Sequence, residues 1–161
     1  MAAIGTDINP LARLIATAKT TNINLDSLDS EIHIFLDYFF NLNFQQKKSY
    51  SKIIPKIINI DYWFSKNTQE KLATTLNYIE NINETSIKNF FKVAFSETVR
   101  DVSYVKSGEF KMVRSKNIQD KDDIDVFGIM ASKLSRNKKG LIEFSNICKN
   151  GTASNIYDFN T

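Results

Sequence analysis

Phe90-Phe91-Lys92-Val93-Ala94-Phe95-Ser96-Glu97-Thr98-Val99-Arg100-Asp101-Val102 carries the strongest helical pattern in the chain. Extended back to Ser86 and on to Val105, its apolar residues are Ile87, Phe90, Phe91, Ala94, Phe95, Val99 and Val102. At ~100° per residue they fall within one half of a helix circumference, which predicts a core helix. Thr98 lies in the middle of that face and Asp101 near its edge, while Arg100 points to the opposite side beside Glu97. A carboxylate at the edge of a buried stripe needs a partner, because an unpaired buried charge is strongly destabilising. Asp101 is therefore expected to be neutralised from within the domain, and Arg100 to be available to a phosphate.

The pattern on either side is also mostly helical. Leu28, Ile32, Phe35, Leu36 and Phe39 predict a helix from about Ser27 to Asn41, with Asp26 and Asp29 favouring its N-terminus. His33 sits inside that pattern and is read as a structural histidine. Asn67 with Glu70 resembles a capping box, opening a helix with the stripe Leu72, Leu76, Ile79 and Ile82. Between these helices lies a basic, irregular stretch with Lys47, Lys48, Lys52 and Lys56, and then Ile57 to Phe64, which reads as extended. Ser107-Gly108 marks a turn, and Glu109 to Arg114 alternates as a short strand or arm. A last helical region runs from about Asp123 to Cys148, with Gly140 expected to kink or split it.

The start of the chain differs. Ala2 to Ile8 reads as a short buried strand, and Pro10 suits the first turn of a helix carrying Leu11, Leu14, Ile15 and Ala18. Strand, acidic residue and immediate helix make half of a βαβ unit, and an isolated edge of this kind cannot bury both faces of its strand. The expected fold class is an α-rich α/β chain: a strand–helix edge at 1–22, a helical region at 23–150, and a polar tail at 151–161.

Composition narrows the possible chemistry. Over 161 residues, a hydrophobic fraction of 42% with 12% aromatics is enough to build a core. The one Cys148 excludes an internal disulfide, and the one His33 excludes most zinc sites and histidine-based triads; Cys148 is expected as a small core residue. No metal site is expected. No run approaches the roughly 20 apolar residues of a membrane span, and Met1 to Asp7 has no basic leader, so the expectation is a cytoplasmic chain with no membrane partner. A net charge of +3 hints at a polyanion partner. Lys106, Lys111, Arg114 and Lys116 interleave with Tyr104 and Phe110, and Lys133, Arg136, Lys138 and Lys139 form a second cluster. Both clusters suit a phosphate-tracking surface, with a solvated lysine face as the plainer alternative.

Two stretches resemble a known family. Gly5-Thr6-Asp7-Ile8-Asn9-Pro10-Leu11-Ala12 looks like the second conserved element of Rossmann-like DNA methyltransferases. Trp63-Phe64, a charged helix, and Phe90 to Ser103, running on into Ser107-Gly108-Glu109-Phe110-Lys111 and Arg114, resemble a block of bacterial restriction-modification enzymes that methylate an exocyclic base amine (adenine N6 or cytosine N4). The resemblance covers most of residues 1–115 in the family's order. It implies S-adenosylmethionine as cofactor, with Asp7 on the ribose hydroxyls and Ile8 over the adenine. It also implies DNA as partner of the intact enzyme, through Arg100, Lys106, Lys111 and Arg114.

The family's other motifs are missing from this sequence. Its Gly-rich cofactor loop, Asp-Pro-Phe-x-Gly-x-Gly-Thr, would need close glycines, and its catalytic Asp/Ser-Pro-Pro-Tyr loop needs adjacent prolines. The only prolines are Pro10 and Pro55. The resemblance therefore implies an internal piece, lying between those two loops, with no catalytic residue of its own. On that view 1–22 is the remnant of a Rossmann-like cofactor domain, 23–150 a helical insert of the target-recognition kind, and 151–161 a tail towards the catalytic half. Such a piece would be inactive alone and would call for complementary fragments. The alternative is a non-catalytic helical module that binds DNA or another protein.

Overall fold

Phe35 and Phe39 stand one turn apart on a helix, so both rings face the same neighbours. In the computed structural model that helix is α2 (Leu25–Phe44), and the chain runs β1 (Ala3–Thr6), α1 (Pro10–Thr20), α2, α3 (Ile60–Trp63), α4 (Lys66–Glu80), α5 (Thr85–Val102), α6 (Val126–Ile147) and β2 (Ser154–Tyr157). The structure describes residues 3–44, 50, 53–106, 108, 111–116, 118, 123–147 and 154–157. Lys47, Lys48, Lys52, Ser107, Glu109, Phe110 and Cys148 lie outside them. The α-rich expectation holds.

Aromatic contacts join four helices. Phe35 meets Phe91 of α5 edge-on at 5.7 Å and Tyr78 of α4 at 5.3 Å, while Phe39 stacks on Phe127 of α6 at 4.3 Å. Phe91, Phe35, Leu28, Ile79, Met130 and Leu134 are buried in this cluster. A second, smaller cluster of Leu72, Val102 and Val126 takes Phe64, Val99 and one side of Phe95. Of the α5 stripe, Ile87, Phe90, Phe91, Ala94 and Val102 are buried together with Thr98, while Phe95 and Val99 are only partly buried. Thr98 is accommodated because its hydroxyl donates to Ala94 O at 2.9 Å, so the polar atom enters the core with a partner.

Several local readings change. Ile57–Phe64 contains a helical turn: Asn59 adopts a left-handed φ of 59°, and α3 follows before Phe64 extends. The cap of α4 is Ser65, whose hydroxyl accepts from Thr68 N at 3.2 Å. Asn67 instead donates to Asp123 at 3.1 Å, so the box read from Asn67 and Glu70 starts too late. His33 is exposed on α2 because it faces away from the Leu28–Phe35–Phe39 stripe. Gly140 lies within the single span of α6, and the open space around it demands no break. Gly128 has the tighter constraint. Asp125 caps α6 by accepting from Gly128 N at 3.0 Å, and a Cβ there would sit 2.2 Å from that carboxylate.

The ends of the chain meet. β1 pairs in parallel with β2, Ala3 opposite Ser154 and Thr6 opposite Tyr157. The polar tail, given no element from the sequence, therefore supplies the second strand. Its apolar signal is the adjacent pair Ile156 and Tyr157, which gives no alternation of period two. The strand read as buried is not: Ile4 is 75% exposed, because two strands and α1 cover only part of a parallel sheet.

Phe91→Ala should cost about 3–5 kcal/mol in denaturant unfolding, as for a fully buried aromatic. Phe95 is only partly buried, so Phe95→Ala should cost less; equal midpoints would contradict this division of the stripe.

Candidate functional site

β1 delivers Asp7 to the point where the strand pair ends and α1 begins. Asp7 Oδ1 accepts from Asn9 N at 2.8 Å, closing a tight turn, and Asn9 Oδ1 accepts from Leu11 N at 2.9 Å, capping α1. Arg13 reaches back from α1 to donate to Asp7 O at 2.8 Å and Ile8 O at 3.3 Å. Asp7 N donates to Tyr157 O at 3.4 Å, so the same turn is tied to β2. Because Asn9 does the capping, Asp7 keeps an exposed carboxylate with Oδ2 unbonded among the described residues. Ile8 beside it is 77% exposed. An open carboxylate and an open apolar side chain thus share the C-terminal end of a parallel strand pair, the edge where open α/β sheets bind ligands.

The basic residues divide into three groups. Arg100 is exposed on α5, and its guanidinium has no ionic partner among the described residues. Its neighbour Glu97 is engaged by Arg136 and, at 3.8 Å, by Lys133. Lys133 also meets Asp101 at 2.6 Å, so Asp101 has a cation from within the domain, as expected. Lys138 pairs with Asp29, and Lys139 with Glu143 at 4.0 Å. Three of the four cations of the second basic cluster, Lys133, Arg136 and Lys138, therefore pair across helices and join α6 to α5 and α2, while Lys139 stays exposed within α6.

The third group sits on an arm that leaves the end of α5. Val105 and Arg114 form an antiparallel bridge, Lys106 N donates to Val113 O at 2.8 Å, and Ser115 N donates to Tyr104 O at 2.7 Å. Gly108 turns the arm with a φ of 81°, a conformation that favours glycine. Lys106, Lys111 and Lys116 are exposed along it. Arg114 is half-buried: its Nε donates to Tyr62 O at 2.9 Å, and its guanidinium lies 4.4 Å from the Tyr62 ring and 5.3 Å from the Tyr104 ring. The fold thus brings Lys106, Lys111 and Arg114 together and leaves Arg100 on the helix before them. Tyr62 was missed in the sequence, where only Trp63 and Phe64 drew notice; an aromatic directly before that pair was the available signal.

Perturbed groups lie elsewhere. Burial, and then the Glu31 carboxylate that accepts the Tyr78 hydroxyl at 2.6 Å, push the Tyr78 phenol far above its usual range. Hydrogen bonds from Lys66 and Gln69 hold the Asp61 carboxyl below its ordinary value, and Lys92 does the same for Glu80. These are packing contacts between helices. Among the described residues no group of three His, Cys, Asp or Glu side chains could hold a metal ion, and no helix is long and apolar enough to cross a membrane.

Over 112 residues the chain is 37% identical to the Type II methyltransferase M.MvaI of Kocuria varians. Over that stretch the chain is similar to part of a Type II methyltransferase. The match takes in 68% of the chain and 25% of that protein, so the chain spans about a quarter of the curated relative's length. No family profile and no solved structure matches it.

Asp101→Ala should lower the melting temperature only slightly, equivalent to under about 1 kcal/mol, because the pair is partly exposed and Lys133 keeps Glu97 nearby. Arg100→Ala should leave the melt unchanged; a larger loss for Arg100→Ala would reverse these roles.

Proposed function

We propose that this chain is part of an S-adenosylmethionine-dependent DNA amino-methyltransferase of the restriction-modification type, working in the cytoplasm, and that it does not transfer methyl groups alone. The observation that carries this reading is the 37% identity to a Type II methyltransferase. The turn at Asp7 fits the nucleoside end of the cofactor. A carboxylate oxygen left open by the Asn9 cap can accept from a ribose hydroxyl, and Ile8 offers an apolar surface to the adenine. The cofactor, when bound, supplies an electrophilic methyl group on sulfur.

The remaining chemistry asks for residues this sequence does not hold. An exocyclic amine must be held in line with the methyl group, and a loop of adjacent prolines with an aromatic residue would do that in the family. Residues Pro10 and Pro55 cannot build it. The role assigned to this chain is to hold one end of the cofactor and to present a basic arm to DNA, with the transferring residues contributed by other segments of the enzyme. A second reading, a non-catalytic helical module binding DNA or protein, draws on the core of α2, α4, α5 and α6, which closes without the sheet.

The purified chain with labelled S-adenosylmethionine and duplex DNA should give no labelled DNA, and adding the flanking segments of a relative such as M.MvaI should restore labelling. Transfer by the chain alone would overturn the assignment of catalysis to other segments. Failure of every reassembly would favour the second reading. In a reassembled enzyme Asp7→Ala should raise the dissociation constant for the cofactor, by roughly ten-fold or more for a lost charge-assisted hydrogen bond; unchanged affinity in calorimetry would remove Asp7 from the site.

A further inference from the structure

Arg114 is one of four cations between Lys106 and Lys116, a stretch whose single acid is Glu109. By composition alone all four are candidates for phosphate contact, yet the structure separates them. Lys106, Lys111 and Lys116 are exposed, whereas Arg114 is turned inward between two rings and bonded to the backbone of α3. Resting on the DNA-binding part of the reading above, we infer that Arg114 is a positioning residue, fixing the arm of residues 104–116 so that Lys106, Lys111 and Lys116 form a contact surface for double-stranded DNA.

The arm needs such a fastener. Among the described residues its two sides share the Val105–Arg114 bridge and the flanking bonds Lys106 N to Val113 O and Ser115 N to Tyr104 O, and so short a strand pair is marginal in water by itself. Among the described residues two ties hold it to α3, namely Tyr104 N to Trp63 O at 2.8 Å and Arg114 Nε to Tyr62 O at 2.9 Å. The second is backed by the Tyr62 and Tyr104 rings, whose faces attract a guanidinium more effectively than a lysine ammonium can reach from the same backbone position. α3 is itself anchored, because Asp61 accepts from Lys66 at 2.6 Å and from Gln69 at 2.8 Å at the start of α4. The carboxylate of α3 is therefore engaged and does not compete for the arm's lysines. Between those lysines, Met112 is 71% exposed and Val113 45% exposed. Cations flanking a small apolar tip suit a duplex, where the cations meet phosphates and the tip meets a groove wall.

The two roles respond differently to substitution. An arginine that meets a phosphate as a point charge keeps most of its contact as lysine, and its loss to alanine lowers the salt slope of binding by about one. A positioning arginine does not tolerate lysine, and its loss displaces several contacts together. The test measures binding of the full chain to a 30-base-pair duplex across a salt series, with amide exchange at Lys106 and Ser115. Lys111→Ala should weaken binding a few-fold and lower the salt slope by about one, leaving both amides protected. Arg114→Lys should weaken binding roughly ten-fold, lower the slope by more than one, and speed exchange at both amides while α5 stays protected. Tyr62→Leu, which removes a ring but no charge, should act in the same direction. Wild-type affinity and slow exchange in Arg114→Lys would overturn the positioning role, as would global unfolding of both Arg114→Lys and Tyr62→Leu. A wild-type chain that does not bind the duplex at low salt would overturn the arm as a DNA surface, while labelling by the reassembled enzyme would still stand as the measure of the methyltransferase reading.

Discussion

Burial of one aromatic face on α5 is the constraint from which the other positions follow. Phe91 is enclosed by Phe35 and Tyr78 and lies in the same cluster as Ile79, Met130 and Leu134. Once that face is covered, the helical phase of α5 is set, and with it the direction of every polar residue it carries. Glu97 and Asp101 must then face α6, where Lys133 and Arg136 meet them, and Arg100 must face solvent. The departure of the arm at Ser103 is set in the same way, because Val102 is locked into the second cluster one residue earlier. Hydrophobic packing therefore aims charged groups that take no part in it.

The ion pairs show how poorly a count of basic residues describes a surface. Lys133, Arg136, Lys138 and Arg114 all appear available in the sequence, yet each is bound within the domain, to a carboxylate or to a carbonyl and aromatic rings. Pairs of this half-exposed kind add little stability individually, and their larger effect is to fix which helices are neighbours. What remains for a polyanion is narrower: Arg100, Lys111 and Lys116, rather than a charged face along α6.

The helices were legible in the sequence because a long amphipathic pattern is an average over many residues. α5 was found within a residue at its start and three at its end, and the α2 stripe was right except for Leu36, which lies at the edge of the buried face and stays 39% exposed. Features set by one or two residues were less legible. The turn of α3 depends on Asn59 entering a left-handed conformation, and β2 depends on pairing with a distant partner, neither of which has a periodic signature. At the candidate site, Asp7 and Ile8 could be proposed from their place after a strand. That Asn9 would take the capping role, leaving the Asp7 carboxylate open, required the geometry. Arg114 is the opposite case: its residue type suggested a ligand contact, and only its surroundings disclosed an internal engagement.

The pairing of Ala3–Thr6 with Ser154–Tyr157 also bears on how the chain acquires its structure. Closing so long a segment from a disordered chain would cost about 4 kcal/mol in configurational entropy at 25 °C, more than a few strand hydrogen bonds return. The contacts within the helical core span far fewer residues and gather both ends beforehand, leaving only short connections to close. The sheet is accordingly a late product of folding and, by the same reasoning, an early one to open. Asp7 and Ile8 sit at that seam. The turn proposed to meet a nucleoside is held locally by Asn9 and Arg13 but joined to β2 only across this distant pairing, so that a ligand spanning the ends of both strands would close the fold as it bound.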